Sequence, residues 1–325
     1  MKIKSVAILS LLVLSLKAAS QNQTSAFGFL ELPQSSHEAA LGGRSVSLLE
    51  NDPSLTYSNP ASLCAIDHST LGLNVMTWMA GTTAAGAQYS NTVGQRGSFA
   101  VSARYVGYGV SDETDIYGNI NGTFSSRDIS LGGSYSYVLS DRWCGGATIK
   151  MIYSKYGYYS SFSMAADLGL LYHSASGMLT AGISFTNIGG QIKAFQDIHE
   201  TLPFNITAGI SLRMEHAPVQ VTLTLDHLNQ WRQSDFYSPD GEISFGEMLA
   251  RHISIGVDAD ITSQLYVALG LNLRNRAELA APSGKGLAGF SIGAGLHLNR
   301  LSFGLSFGKY QISTSSFLFN FAVNI

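Results

Sequence analysis

Apolar and small or polar residues alternate along most of the chain with a period of two. Toward the C-terminus, Phe317, Phe319, Phe321, Val323 and Ile325 share one parity, and Leu318, Asn320, Ala322 and Asn324 the other. Leu301, Phe303, Leu305 and Phe307 alternate with Ser302, Gly304, Ser306 and Gly308, and Val219, Val221, Leu223 and Leu225 with Gln220, Thr222, Thr224 and Asp226. Successive side chains on a strand face opposite ways, so this pattern predicts strands with one apolar face and one small or polar face. Fourteen such segments can be drawn: 70–79, 82–91, 97–106, 128–138, 143–155, 161–172, 178–187, 204–214, 219–228, 249–259, 263–274, 287–298, 301–309 and 315–325. Each reaches or nears the roughly 9–11 residues that a tilted strand needs to cross a bilayer.

Charge placement separates a membrane barrel from a soluble sandwich. The same parity puts Arg104, Lys150, Asp167, Arg213, Asp226 and Asp258 on the small, polar face, and no charge falls on the apolar face in a strand middle. A Lys or Arg facing lipid at mid-depth costs about 2–4 kcal/mol, whereas a wet lumen accepts it. Only 13% of residues are charged, too few for the polar outer surface of a sandwich. Past the N-terminus no run of 18 apolar residues occurs, so a membrane-spanning chain must close its strands into a ring. The fold class expected is therefore all-β, an antiparallel transmembrane barrel of about 14 strands.

The connections agree with this. Turns after even strands are short, as at Ser140-Asp141-Arg142 and Asn299-Arg300, while 107–127, 188–203, 229–248 and 275–286 after odd strands are long. The short Ala80-Gly81 link departs from that rule. Short turns on one side and long loops on the other are the habit of bacterial outer-membrane barrels, which places the short turns and the N-terminus on the periplasmic side. Tyr105, Tyr108, Trp143, Tyr153, Tyr156 and Tyr172 near strand ends are candidates for interfacial girdles.

Lys2 and Lys4, the apolar run from Val6 to Leu16 and the small residues Ala18, Ala19 and Ser20 have the order of a secretory signal over 1–20. Residues 21–69 then carry turn-formers: Leu41-Gly42-Gly43, Asn51-Asp52-Pro53 and Asn59-Pro60-Ala61. A ring of about 14 strands encloses more space than its own side chains fill, so this segment is expected to plug the lumen of the 70–325 barrel, with a flexible tail as the alternative. Glu50 and Asp52 would then face Arg104, Lys150 or Arg213.

Balanced charge, with 19 Lys plus Arg against 22 Asp plus Glu, offers no basic field for nucleic acid. An apolar fraction of 45% excludes a disordered chain, and two cysteines exclude a disulfide scaffold. Cys64, just ahead of the first strand, and Cys144, at the start of the fifth, would both lie near the periplasmic rim. A disulfide tying plug to wall requires their Cα atoms within about 7 Å; separate thiols are the alternative. Scattered histidines, with no HExxH, paired CxxC or GxSxG, point to no enzyme, cofactor or metal site. Asp112, Glu113 and Asp115 form an acidic loop without calcium-loop spacing, solvated or partner-facing. Trp231, Phe236, Tyr237 and Phe245 in the 229–248 loop either anchor a partner or cap the barrel mouth.

Several segments together carry a resemblance. Ala40-Leu41-Gly42-Gly43 and Asn59-Pro60-Ala61 are followed by Tyr108-Gly109, Glu113-Thr114-Asp115, Gly118-Asn119 and Gly122-Thr123-Phe124. Asn187-Ile188-Gly189, Leu202-Pro203-Phe204, His216-Ala217-Pro218, Leu228-Asn229-Gln230-Trp231 and Gly286-Leu287-Ala288-Gly289-Phe290 complete them. In this order the chain resembles PorQ-type barrels of the PorV/PorQ family of the type IX secretion system. The resemblance implies a FadL-like barrel in the bacterial outer membrane, without enzymatic activity. It implies too that the barrel anchors a PorZ-like surface protein in an attachment complex with PorU- and PorV-like proteins, which joins cargo to anionic lipopolysaccharide. Neither catalytic nor contact residues carry over. The alternative is a FadL-like transporter of a hydrophobic small molecule, which needs an apolar pocket in the lumen. The Ser, Thr, Gly and Asn of the expected lumen favour the anchor.

Overall fold

The computed structural model describes residues 26–78, 81–196, 199–238, 241–279, 286–309 and 315–325. The signal over 1–20, its cleavage point and most of the Ala80-Gly81 link lie outside the described residues. Fourteen strands are described: β1 (Thr70–Thr77), β2 (Thr83–Val93), β3 (Gly97–Thr114), β4 (Ile120–Ser140), β5 (Trp143–Tyr156), β6 (Tyr159–His173), β7 (Leu179–Lys193), β8 (Asn205–Arg213), β9 (Val219–Leu225), β10 (Ile253–Asp260), β11 (Leu265–Asn272), β12 (Phe290–His297), β13 (Leu301–Gly308) and β14 (Ser316–Asn324). Each pairs antiparallel with its neighbours in sequence, and β1 pairs with β14 along Thr70↔Asn324 to Met76↔Leu318, closing the barrel. Closure gives every ladder a partner, which is what a hydrocarbon environment demands of a backbone.

The alternation sorts the two faces. Leu73, Val75, Ile149, Phe303 and Phe319 point outward and stay exposed, while Ser130, Ser163, Ser184, Thr207 and Thr222 point inward and are buried. The outer belt is greasy because only lipid touches it; the inner face is small because another part of the chain occupies it.

Residues 26–69 fill the lumen. Asp52 and Asn59 each stand before a proline and accept the backbone N–H two residues on, from Ser54 and Ala61. That capping starts the short 3-10 helices Pro53–Tyr57 and Pro60–Ala65, so the turn-formers of the sequence are helix starts. A third piece, α1 (Ser36–Ala40), ends on Gly42 and Gly43, both at positive φ. The plug runs the full length of the barrel. At one end Ala26 donates its N–H to Glu200 and accepts from the Tyr156 hydroxyl, both on the long-connection side. At the other end Leu63 and Ile66 pack on Ala100, near the short turns. The first strand does begin on the short-turn side, but Ala26 lies at the opposite mouth. Between Ala26 and the first strand the plug threads the lumen once, and the chain's start, expected on the short-turn side, lies outside the described residues.

Inward glycines make room for this backbone. A Cβ at Gly146 would meet Ala61 N and Pro60 O at 2.6 Å, and one at Gly256 would meet the Cβ of Leu41 at 2.7 Å. Gly169, Gly182 and Gly270 touch Asn59, Val46 and Gly42 more closely still.

Several boundaries differ from those the sequence suggests. Residues 107–127 are not a loop: β3 and β4 stay paired from Val110↔Ser125 to Thr114↔Ile120, past a bulge at Gly107. Beyond the lipid belt neither face of that hairpin needs to be apolar, so the alternation fades while the ladder continues. Strand β7 likewise runs on to Lys193 through Asn187, whose φ is 60°. Residues 249–251 belong to α2 (Phe245–Arg251), begun by a reciprocal cap between Ser244 and Glu247. Leu273 and Arg274 open α3 (Leu273–Glu278), capped by Asn272.

Candidate functional site at the long-loop mouth

The lumen is not uniformly polar. At the long-loop end the inward residues Met76, Ala84, Val106, Ile152, Ala165 and Leu318 form an apolar patch, joined by Leu202 from the β7–β8 connection. The plug fills it with its own Phe27, Phe29 and Leu30, and Trp78, Tyr108 and Phe195 line its margin. Phe195 stacks on Phe27 and on Tyr156, with ring centroids 6.2 and 5.1 Å apart. Asp128 gathers the hydroxyls of Tyr108 at 2.5 Å and Tyr156 at 2.9 Å. These two tyrosines therefore close the chamber instead of facing the membrane interface, whereas Tyr105, Trp143 and Tyr153 do face outward.

A polar cavity of about 260 Å³ adjoins the chamber and shares Leu32 and Trp78 with it. Around it stand Glu31 and Arg44 of the plug, Asp226 and His227 beyond β9, and Arg251, His252 and Arg274. His227 Nε2 lies 3.0 Å from Glu31 Oε1, and its Nδ1 lies 3.1 Å from Asp226 Oδ2. Burial disfavours the imidazolium, but Asp226 and Glu31 overcome it and raise His227 to about 9. Against the same burial, His227 and Arg44 hold Glu31 below the ordinary carboxyl range. His252 is pushed the other way: burial, then Arg274 and His227, lower it, and its Nδ1–H donates to the Asp226 carbonyl at 2.7 Å. Its Nε2 is thus a buried acceptor with no partner among the described residues.

A second histidine clasp joins plug to wall deeper in the lumen. His37 sits between Glu50, at 2.9 Å, and Asp258 of β10, at 3.8 Å, with its ring 4.2 Å from that of Tyr266. Burial opposes its charge, yet Glu50 and Asp258 hold it up at about 10. Glu38, fully buried in α1, is raised by burial to about 8 although Ser58 and the Ser45 N–H bind it.

Among the residues singled out from sequence, Arg104, Lys150, Asp167 and Asp258 are buried inside the barrel. Lys150 pairs with Asp167 at 2.8 Å, and Arg104 donates to the Leu32 carbonyl. Asp226 lines the polar cavity. Arg213 is half-exposed at the short-turn rim, bound to Asp260 at 2.6 Å. The anticipated pairing of Glu50 and Asp52 with Arg104, Lys150 or Arg213 gives way to nearer partners: Glu50 takes His37, and Asp52 takes Ser35 and the N–H it caps. Asp115 closes the β3–β4 turn by accepting from Tyr117 N and Asn119 N, while Asp112 and Glu113 lie on the extended part of β3. In the 229–248 segment, Phe236 is buried with Ile243 and Met248, and the Trp231 ring lies tilted against that of His252 with centroids 4.4 Å apart. Tyr237 and Phe245 remain exposed. Cys64 and Cys144 are adjacent free thiols. Periodicity could not single out Phe27, Phe29, Glu31, His37 or His227, because they lie outside regular strands; a reciprocal Ser244–Glu247 spacing was the one signal available for α2.

A concavity of about 480 Å³ lies between Leu73, Val75, Phe303, Phe319 and Phe321. Those side chains face outward, so it belongs to the lipid-facing wall and not to the lumen.

Among solved structures, the Ralstonia pickettii toluene transporter TbuX aligns over 91% of this chain and 99% of its own, with a TM-score of 0.60 and 13% identity. The Pseudomonas putida toluene transporter TodX aligns over 90% and 97%, with a TM-score of 0.57 and 15% identity. A Pseudomonas aeruginosa FadL homologue aligns over 89% and 97%, with a TM-score of 0.52 and 12% identity. No family model and no curated protein matches the sequence. The shared feature is the fold, a closed barrel of 14 antiparallel strands of the FadL-like outer-membrane type.

Proposed function

We propose that this chain carries a hydrophobic small molecule across the outer membrane, short turns toward the periplasm, with the apolar chamber at the long-loop mouth as its entry site. The observation that carries the proposal is the apolar patch of wall at the long-loop mouth, more extensive than the apolar clusters deeper in the lumen and filled by the chain's own Phe27, Phe29 and Leu30. A toluene-sized molecule buries about as much apolar surface as one of those rings, so exchange between ring and ligand is close to balanced in transfer energy. The neighbouring polar cavity, with Arg44, Arg251 and the unpartnered Nε2 of His252, can take a polar end where the molecule has one. The polar lumen that favoured an anchor is therefore only part of the interior. The fold likeness to hydrocarbon transporters supports the same reading.

The test is toluene flux into liposomes bearing the reconstituted protein. Phe29→Ala, which vacates part of the chamber, should raise flux, and Ile152→Asn in its wall should lower it. Flux equal to that of protein-free liposomes in all three would reject the reading.

A second reading retains the PorV/PorQ resemblance: a barrel that holds a PorZ-like surface protein for an attachment complex with PorU- and PorV-like proteins. What favours it is the β3–β4 hairpin, which projects past the mouth and leaves Ile116 92% and Tyr117 84% exposed. Pull-down of the tagged barrel from native outer membranes tests it, and co-purification of a soluble surface protein that Ile116→Asp releases is the supporting result.

A further inference from the structure

We propose that Cys64 and Cys144 form a disulfide that bolts the short-turn end of the plug to the barrel wall. The inference rests on the outer-membrane reading, which places both thiols in an oxidising compartment. They are the chain's two cysteines. Cys64 lies on the Pro60–Ala65 helix of the plug and Cys144 on the inward face of β5, and both pack in one cluster with Ala61, Leu171, Leu49 and Val138. The surroundings hold them there: Gly146, two residues beyond Cys144, lies so close to Pro60 and Ala61 that no side chain fits between strand and plug. That contact seats the helix carrying Cys64 directly on the strand carrying Cys144, the close approach that a disulfide requires.

The oxidant is a dithiol–disulfide exchange protein. Cys64 is half-buried and Cys144 buried, so Cys64 is the attacking thiol. Its thiolate, having lost a proton to solvent, attacks one sulfur of the oxidant's disulfide and expels the other as a thiolate. Cys144, losing its proton in turn, attacks the Cys64 sulfur of the mixed disulfide and expels the oxidant's remaining thiolate. Two electrons pass to the oxidant, which leaves as a dithiol.

Such a bond divides the plug. Residues near 64 become part of the wall, while the Phe27–Leu30 end stays connected by noncovalent contacts alone. Passage of a ligand then involves withdrawal of the N-terminal end and never release of the whole plug.

Cyanogen bromide mapping of protein extracted from native membranes without reductant tests this. Cleavage follows Met76, Met79 and Met151, so Cys64 lies in the fragment ending at Met76 and Cys144 in fragment 80–151. Non-reducing mass spectrometry should show these two joined, and reduction should separate them with a gain of two hydrogens. Two unlinked fragments that N-ethylmaleimide labels at both cysteines in denatured, unreduced protein would overturn the proposal. So would a crosslinked dimer in place of the internal link. Toluene flux plays no part in the readout, so the channel reading and the bond stand or fall separately.

Discussion

Gly146→Ala places one methyl group between wall and plug. The new Cβ would lie 2.6 Å from Ala61 N and Pro60 O and closer still to the Pro60 carbonyl carbon, where ordinary contact begins at 3.4 Å, so one backbone must retreat by more than about 0.8 Å. The wall is held: Gly146 pairs with Ser136 on one side and Gly169 on the other. The plug is held less firmly, by the Asn59 cap on Ala61 N at 3.0 Å and by Asn59 Nδ2 on the Val46 carbonyl at 2.8 Å, so the shift falls on the plug. Overpacking of this kind costs about 1–3 kcal/mol. If it all falls on seating of the plug, the open population rises roughly 5- to 150-fold at room temperature. Hydrogen exchange of residues 59–66 in detergent-solubilised protein, with the cysteines reduced, reads that population directly. Gly133→Ala is the control, because its Cβ would meet nothing within 4 Å and would point outward. Equal protection in the two variants would refute the idea that the wall is shaped to the plug's backbone.

Lys150→Met leaves Asp167 buried without its cation, and removing one member of such a pair costs about 3–5 kcal/mol; Lys150→Met combined with Asp167→Asn should recover most of that loss in urea unfolding. The raised pKa values of His37, about 10, and His227, about 9, mean that their clasps contribute fully below about pH 6.5 and weaken as pH climbs through 9 to 10. Protease cleavage ahead of residue 50 should accelerate across that window in the wild type, and His227→Gln should already be accelerated at pH 7. Glu38, raised to about 8, binds its proton more tightly folded than unfolded, so plug stability should fall from about pH 4.5 toward 8, and Glu38→Gln should flatten that part of the profile. Ile149, 62% exposed on the outer wall, should lose about 2–4 kcal/mol as Ile149→Arg when unfolding is followed in lipid.

The barrel was legible because lipid and plug act on alternate residues of each strand. Phe317 to Ile325 and Leu301 to Phe307 record that division directly, and the strands lie where the alternation puts them. It faded where one of the two pressures stopped. Past Gly107 no lipid touches the hairpin, so Ser111, Asp112 and Thr114 looked like loop although the ladder continues. The sequence marked the starts of the plug's helices at Asp52-Pro53 and Asn59-Pro60, but not its path. Contacts such as His37 to Asp258 and Glu31 to His227 span more than 190 positions, and no local pattern encodes which carboxylate a lone histidine meets. For the same reason the apolar chamber stayed hidden: Met76, Val106, Ile152 and Leu318 sit singly among polar neighbours on four different strands.

The glycine contacts between wall and plug leave a mark that other sequences can be searched for. An empty barrel tolerates serine or threonine at every inward position, whereas a filled one must keep a residue without a side chain wherever an inner peptide rests against it. Gly146, Gly182 and Gly270 trace such a footprint across three strands. A barrel sequence carrying glycines of inward parity at equivalent heights would declare its stopper before any coordinates exist, even where the stopper's own sequence has changed past recognition.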